Sequence, residues 1–461
     1  MPETRKAPEL IPLEQQALDH VWIHNAYWVD LAERDGLHVI VRGDGCRLID
    51  ARGRTYLDGL AGLYVVNVGH GRAEIGEVMA RQARDLAYVS SATYTSLPAV
   101  QLAEVLAGIT PGDLNRFFFC SGGSEAVESA MKIAKQIQVM RGFPKRSKVI
   151  ARLGGYHGAT FGAMSITAAR SEKFFGPFMP GVSFVPSPNR YRPAFGLEGE
   201  AEDLRCADAV EQELLAQGPE FVAAVIGEPV SAANNVHVPS AGYWHRVREI
   251  CDKYGALLIM DEVINGFGRT GKMFGAEHFG VVPDLMTMAK GLSSGYAPIA
   301  AVAVSDRVFE EFKRQDVALA HLLTFGGQAV ACAAALKNIE ILQNEALVQR
   351  SAQHGQYLLG LLERLRPHPT VGDVRGIGLL CAVELVQDKR TKEPFGWGPA
   401  AASHPFSRRV TALMAERGLL TRVFMSIQLA PPLVVTAAEI DRMITIVDES
   451  LTVAEREFGF A

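Results

Sequence analysis

An aspartate and a lysine that follow two apolar runs are the residues most able to do chemistry together. Asp261 comes directly after the run 257–260, and Lys290 comes directly after the run 285–289. Ligands of open α/β sheets bind at the carboxyl ends of the strands, so both side chains are expected at one sheet edge. A lysine there can lose its proton and become a nucleophile, and a nearby carboxylate can pair with a pyridinium nitrogen. Taken alone, a surface salt bridge would explain the pair equally well.

A glycine-rich turn predicts a phosphate site. Gly122, Gly123 and Ser124 follow the apolar run 117–119 and open a stretch of helical spacing that reaches Met140. Glycine lets the backbone approach an anion, and a helix N-terminus presents N–H groups to it. The Ser124 hydroxyl adds a donor. An ordinary helix N-cap is the alternative, and the turn by itself favours that alternative.

Two further strand ends carry groups that suit a planar ring. Tyr156 and His157 follow the run 149–151, and Glu228 follows the run 222–226. Tyr156 could stack on a ring, with His157 as a polar support and Glu228 as a further carboxylate. Because several strand ends carry polar or aromatic groups, the sequence indicates one shared site for a phosphorylated, pyridine-based cofactor, pyridoxal phosphate (PLP).

A glycine motif downstream imitates nucleotide-binding sequences. Residues 266–271 match G-x-G-x-x-G, and residues 266–272 match G-x-x-x-x-G-K. A P-loop needs Ser or Thr after its lysine to hold Mg²⁺, whereas Met273 stands there. A dinucleotide fingerprint should lead into a helix, and no long helical pattern follows. An ATPase or a dehydrogenase is therefore disfavoured. The scattered cysteines contain no C-x-x-C pair, so no metal site is predicted.

The elements that must position these residues form an α/β pattern. Short apolar runs alternate with stretches of helical spacing, and runs that are apolar on both faces are typical of a mostly parallel sheet between helices. The predicted strands are 116–119, 148–151, 222–226, 256–260, 285–288 and 299–304, and the clearest helices are 121–140 and 243–254.

The sequence patterns near both ends of the chain predict a smaller α+β domain. Residues 37–41 and 46–50 alternate like an antiparallel sheet. The C-terminal part predicts one long helix from Ala329 to about Ala352. After the stretch 374–384 and a polar, Gly/Pro-containing stretch over 387–405, it predicts a helix over 407–417, a short strand and a final helix from about Ala437. We expect an N-terminal segment over 1–68, a large cofactor-binding domain over 69–335 and a C-terminal domain over 336–461, the outer two sharing a sheet.

Composition narrows the class of protein. The 461 residues are 48% hydrophobic and 21% charged, with a net charge of −5, which is typical of a globular chain. An acidic chain without a basic patch predicts no nucleic-acid partner. No apolar run is long enough for a membrane span, and the N-terminus has no secretory pattern. Six scattered cysteines suit reduced thiols, so a cytoplasmic location is expected.

Beyond these residue patterns, the chain resembles the class III (ω-amino acid and amine) aminotransferases of PLP fold type I. The resemblance runs from about residue 35 to 450 in the family's order and spacing. The stretches that carry it are 56–64, 121–126, 155–158, 228–230, 257–271 and 289–295.

The resemblance implies how the cofactor is held. Lys290 would carry PLP as a Schiff base and move the substrate proton, and Asp261 would bind the pyridine nitrogen. Val263 and Tyr156 would cover the two ring faces. The remaining implied contacts are the phosphate with Gly122, Gly123 and Ser124, and the ring surroundings with His157 and Glu228.

The resemblance also implies partners and substrates. Thr324 would bind the phosphate of the neighbouring subunit, which makes a homodimer the minimal unit, with tetramers as a further assembly. Arg422 would pair with a substrate carboxylate, and Tyr64 would line the pocket where several amine transaminases have tryptophan. The implied reaction is ping-pong transfer from an amine or ω-amino acid to a 2-oxo acid such as pyruvate. An aminomutase or decarboxylase of the same fold is the alternative, and a PLP-fold DNA-binding regulator is disfavoured by the acidic chain.

Overall fold

The computed structural model describes residues 10–24, 26, 31, 37–168 and 172–460. Its strands are β1 Ile40–Asp44, β2 Arg47–Asp50, β3 Thr55–Asp58, β4 Leu114–Cys120, β5 Lys148–Arg152, β6 Val182–Val185, β7 Val222–Gly227, β8 Leu257–Asp261, β9 Leu285–Met288, β10 Ala300–Ser305, β11 Val371–Gly376, β12 Cys381–Asp388, β13 Glu393–Pro394, β14 Leu419–Leu420, β15 Arg422–Val423 and β16 Ser426–Leu429. Its helices are α1 Pro12–His20, α2 Ala61–Tyr64, α3 Ala73–Asp85, α4 Leu97–Ile109, α5 Gly123–Met140, α6 Phe161–Ser165, α7 Glu172–Phe175, α8 Gly199–Gln217, α9 Ala241–Tyr254, α10 Asp306–Gln315, α11 Ala329–Asn344, α12 Leu347–Leu362, α13 Pro399–Ser403, α14 Pro405–Glu416 and α15 Ala437–Phe458.

The large sheet has seven strands in the order β4-β10-β9-β8-β7-β5-β6. The strands from β9 to β6 are parallel, and β10 runs antiparallel to both of its neighbours. Along β8, Leu257 and Ile259 pack in one apolar cluster, while Leu258 and Met260 pack in the other. Both faces of the sheet are therefore covered, as the continuous apolar runs predict.

One strand of this sheet was not predicted from the sequence. Strand β6 lies at the sheet edge and, among the described strands, pairs with β5 alone. Its first three residues are half-buried, and only Val185 is fully buried. An edge strand with Ser183 in a four-residue segment carries too little apolar pattern to be distinguished from a loop.

The prediction of one long helix from Ala329 to about Ala352 is wrong. The segment forms two helices, α11 and α12, separated at Glu345 and Ala346. Ala346 has φ of +50°, in the left-handed region, which ends helical geometry. Arg72 forms an ion pair with Glu345 at 2.7 Å, so a contact with a distant part of the chain accompanies the break. Neither Gly nor Pro marks it in the sequence.

Both ends of the chain contribute to one small sheet. Strand β14 pairs in parallel with β3, with Leu419 opposite Leu57, and β1, β2 and β3 form an antiparallel meander. A second sheet has the order β11-β12-β16-β15. The shared sheet agrees with the expected link between the two ends, while the boundaries 1–68, 69–335 and 336–461 stay a prediction. Within the described ranges, no helix has the length and apolar character needed to cross a membrane.

Candidate active site

A cavity of about 400 Å³ lies where several strands of the large sheet end. It brings together most of the predicted site residues: Gly122, Gly123, Ser124, Tyr156, His157, Glu228, Asp261, Val263 and Lys290. Asp261 is only 3% exposed, so the alternative of a surface salt bridge with Lys290 does not hold. The cavity lies at the carboxyl ends of parallel strands, which is where open α/β sheets bind ligands.

The carboxylate of Asp261 is fixed by three donors. Its Oδ1 accepts hydrogen bonds from the main-chain N–H of Val263 at 3.1 Å and from the Thr287 hydroxyl at 3.0 Å. Its Oδ2 lies 2.7 Å from Nδ1 of His157. The sequence analysis did not single out Thr287, although a polar residue within the buried strand β9 was a usable signal.

His157 is held from its main chain as well. Its N–H donates to the Thr167 hydroxyl at 2.9 Å. Since a carboxylate oxygen accepts, Nδ1 of the ring is assigned as the donor to Asp261. The other ring nitrogen, Nε2, is buried and has no hydrogen-bond partner among the described residues. Because the His157 side chain is fully buried, its contribution to the site is the hydrogen bond to Asp261.

Lys290 follows β9 in a strained conformation. Its φ is +46°, a left-handed value that costs a non-glycine residue free energy. Burial lowers the pKa of its amine to about 8, while the nearby carboxylates of Asp261 and Glu228 oppose that shift and Arg422 adds to it. A lysine with this pKa is partly neutral near pH 8, and the neutral amine is the nucleophilic form.

The glycine-rich turn forms a close-fitting cradle. Gly122 is the N-cap of α5, and no side chain caps this helix end, so the ordinary side-chain N-cap is absent here. A Cβ on Gly123 would lie 3.0 Å from Cγ1 of Val263. Gly158 has φ of +140°, and a Cβ there would lie 2.3 Å from Oγ of Ser124. Because these two positions are glycines, no side chain fills the space at the start of the helix. The free N–H groups of the helix can therefore reach a ligand in the cavity.

Two more carboxylates lie near the site. Glu228 is 2% exposed, and burial raises its pKa. It accepts hydrogen bonds from the main-chain N–H groups of Tyr156 at 3.2 Å and Ala232 at 3.0 Å. Glu262 instead accepts from the main chain at residues 275–276, and burial raises its pKa to about 8. Of the adjacent residues Asp261 and Glu262, only Asp261 therefore lines the cavity.

Three predicted residues do not line this cavity. Tyr64 is buried, and its hydroxyl donates to the side chain of Gln428. Arg422 is half-buried, and its guanidinium lies 3.8 Å from the ring centroid of Phe424. Thr324 is exposed on the same chain, and its expected contact with a neighbouring subunit stays a prediction.

These residues fit PLP. A carboxylate fixed by three donors, a lysine of lowered pKa and a helix N-terminus with glycines all meet at one cavity. The donor set matches a molecule with a basic ring nitrogen, an aldehyde carbon and a phosphate. Among the described residues there is no cluster of histidine, cysteine or acidic side chains suited to a metal ion.

Residues 30–451 match the Aminotransferase class-III family. The chain belongs to that family. Class-III aminotransferases depend on PLP, and the α/β architecture with the seven-stranded sheet is that of PLP fold type I. The chain is therefore a PLP-dependent aminotransferase.

Individual relatives agree with this membership. A probable aminotransferase of Mycobacterium tuberculosis is 43% identical over 467 residues, which cover 99% of each chain. A taurine–pyruvate aminotransferase of Bilophila wadsworthia is 38% identical over 461 residues, which cover 98% of each chain. The crystal structure of an (S)-enantioselective ω-transaminase from Thermomicrobium roseum superposes with a TM-score of 0.91 at 40% identity, covering 96% of this chain and 98% of that one.

Proposed function

We propose that this class-III aminotransferase moves an amino group from an amine or ω-amino acid to a 2-oxo acid such as pyruvate, by a ping-pong mechanism. The observation that carries the proposal is that Arg422 lies near Lys290 and has no carboxylate partner among the described residues. Its guanidinium acts on the pKa of Lys290. A guanidinium without a carboxylate partner suits the carboxylate of a 2-oxo acid. Similarity to the taurine–pyruvate aminotransferase supports pyruvate as the acceptor.

Lys290 is proposed to move the proton of the reaction. When bound, PLP withdraws electrons from the substrate Cα and makes the proton on that carbon removable. The amine of Lys290 would take that proton from the substrate carbon and deliver it to the cofactor. A pKa of about 8 suits a general base near neutral pH, because a useful fraction of the amine is then unprotonated.

The other cavity residues are proposed to hold and orient the cofactor. Asp261 would keep the ring nitrogen protonated, and the His157 hydrogen bond would keep the carboxylate in place. Val263 and Tyr156 would lie against the two faces of the ring. Tyr156 lines the cavity and is 43% exposed, so its ring is free to stack on one face of the cofactor ring.

The phosphate and the ring surroundings would be held by the rest of the cavity. Gly122, Gly123 and Ser124 at the start of α5 would bind the phosphate through N–H and hydroxyl groups. Glu228 would lie near the ring hydroxyl and the substrate. Its raised pKa means that a proton on this carboxyl can persist at higher pH than usual.

The proposed assembly is a homodimer in which Thr324 of each chain completes the phosphate site of the other, with pairing of dimers into tetramers as a further assembly. The exposure of Thr324 supports a role outside its own cavity. Exposed apolar side chains close to it, Leu322 and Phe325, suit burial in a subunit interface. We also propose a cytoplasmic location, which the buried, unpaired cysteines support.

Product analysis tests the proposed reaction. Purified enzyme with PLP, an ω-amino acid and pyruvate should form alanine and the aldehyde or oxo product in equal amounts. Release of carbon dioxide without alanine would identify a decarboxylase, and an isomeric amino acid without alanine would identify an aminomutase. Either result would replace the transaminase proposal, since all three reactions use the same lysine and aspartate.

A further inference from the structure

A hydrogen bond links Tyr64, whose chain neighbours Leu63 and Val65 line the cavity, to a glutamine that the proposed mechanism does not use. The Tyr64 hydroxyl donates to Oε1 of Gln428, and the two residues are 2% and 1% exposed. Tyr64 adopts φ of +60°, a left-handed value that bulky residues rarely adopt. The backbone is therefore strained at the residue that carries this hydroxyl.

Gln428 and Arg422 are direct neighbours across two strands. They are paired residues of the antiparallel strands β15 and β16, so their side chains leave the same face of the sheet. The guanidinium of Arg422 stacks on Phe424, two residues further along the chain. Arg422 and Tyr64 are also close enough for each to shift the pKa of the other, and the Tyr64 hydroxyl is hydrogen-bonded to Gln428.

The direction of these hydrogen bonds follows from the chemistry of the groups. A tyrosine hydroxyl has one hydrogen, and that hydrogen is donated to Gln428. The oxygen lone pairs are then left for the N–H groups of Arg422, which can only donate. The Tyr64 oxygen is thus a neutral acceptor for Arg422, so the positive charge of Arg422 is not neutralised by it. The amide nitrogen of Gln428 is buried without a partner in the described structure, so Tyr64 is the side-chain contact that orients this amide.

We propose that Gln428 is a positioning residue for substrate selection, which acts through the Tyr64 hydroxyl to hold Arg422 ready for an anionic group. The favoured substrates are amino donors and acceptors that carry a carboxylate or sulfonate, over amines without an acidic group. This proposal rests on the proposed transaminase function. If Gln428 acts through Tyr64, the effect of replacing Gln428 should depend on whether the Tyr64 hydroxyl is present. A direct contact between Gln428 and the substrate would not show this dependence.

A double-mutant cycle on the holoenzyme tests this dependence. The variants are Tyr64→Phe, Gln428→Leu and the double variant, with Gln387→Leu on the neighbouring strand β12 as a matched control. Gln387 donates to the carbonyl of Pro394, away from Arg422. The first readout is the dissociation constant of propionate, an unreactive carboxylate, by titration calorimetry. We expect about tenfold weaker binding in each single variant, no further loss in the double variant and no change in the control.

A second readout separates positioning from general damage. The donor half-reaction is followed without a 2-oxo acid, using β-alanine and butylamine. We expect KM for β-alanine to rise about tenfold in Tyr64→Phe and Gln428→Leu, with kcat nearly unchanged, and butylamine to react as in wild type. Tyr64→Phe keeps the ring and changes only the hydroxyl, so it tests the proposal even if Gln428→Leu fails to fold.

The outcomes are distinct. Losses that add in the double variant, unchanged propionate binding, or equal effects on β-alanine and butylamine would overturn the positioning role of Gln428. A wild-type enzyme that binds propionate but converts no donor would overturn the proposed function instead. In that case the calorimetric cycle alone would still decide the role of Gln428.

Discussion

Nδ1 of His157 lies 2.7 Å from Oδ2 of Asp261, although the two residues are 104 positions apart in the chain. Both side chains are buried, and Asp261 also accepts hydrogen bonds from Val263 and Thr287. The carboxylate therefore cannot turn away from the cavity without losing several donors. This geometry explains how one charged group can be held ready for a cationic ring nitrogen.

Replacing Asp261 with asparagine should reduce kcat/KM for donor and pyruvate by roughly 10³-fold or more, because an amide cannot stabilise a protonated ring nitrogen. PLP content per subunit should stay close to wild type. The adjacent variant Glu262→Gln is the matched control, since Glu262 bonds to the loop at 275–276. Its kcat/KM should fall far less. Near-wild-type turnover by Asp261→Asn would show that another group performs this task.

Replacing His157 with phenylalanine removes one charge-assisted hydrogen bond to Asp261. Hydrogen bonds to charged groups contribute about 1.5–3 kcal/mol, so kcat/KM should fall by roughly 10- to 100-fold. Thr287→Val removes a longer hydrogen bond to the same carboxylate, 3.0 Å against 2.7 Å for His157, and should cost less. Steady-state kinetics on both variants provide the measurement. A larger loss in Thr287→Val than in His157→Phe would contradict the assigned importance of the histidine.

The reactivity of Lys290 should depend on pH with a midpoint near 8, because burial lowers its pKa from 10.5 to about 8. The neutral amine dominates above that pH, so the rate at which apoenzyme takes up PLP covalently should rise through pH 8. Arg422→Leu removes a cation that lowers this pKa, and its midpoint should move up. Asp261→Asn removes an anion that raises the pKa, and its midpoint should move down. A midpoint near 10.5 in the wild type would contradict the burial of the amine.

Adding a methyl group at Gly158 should weaken PLP binding. The new Cβ would lie 2.3 Å from Oγ of Ser124, and φ of +140° strains any residue other than glycine. We expect the dissociation constant of PLP to rise at least tenfold in Gly158→Ala, measured by fluorescence quenching on apoenzyme. Gly108→Ala is the control, because nothing lies within 4 Å of its Cβ and its helix favours alanine. Equal PLP affinity in both variants would argue against a narrow phosphate cradle.

The sequence predicted the parts of the fold that have strong local patterns. Buried strands such as β7 and β8 are continuous apolar runs, so their place in the sheet and the residues at their ends could be inferred. The edge strand β6 and the helix break at Ala346 could not, because partial burial and a tertiary ion pair leave little trace in local sequence.

The site shows the same division. Asp261 and Lys290 stand out because charged residues end apolar runs, and the glycines of the cradle stand out by type. Thr287 and Gln428 do not, since their partners Asp261 and Tyr64 come from other segments of the chain. Each is a polar residue within a buried strand, and that contrast is the signal that could have identified them.

The most direct test of the central claim is the visible absorption of the purified enzyme with PLP, recorded while an amine donor and then pyruvate are added. The account predicts that the donor bleaches the band of the bound cofactor, that pyruvate restores it, and that Lys290→Ala binds PLP without either change. A wild-type band that no donor bleaches, or a Lys290→Ala variant that cycles like wild type, would contradict the assignment of Lys290 as the catalytic residue of an aminotransferase.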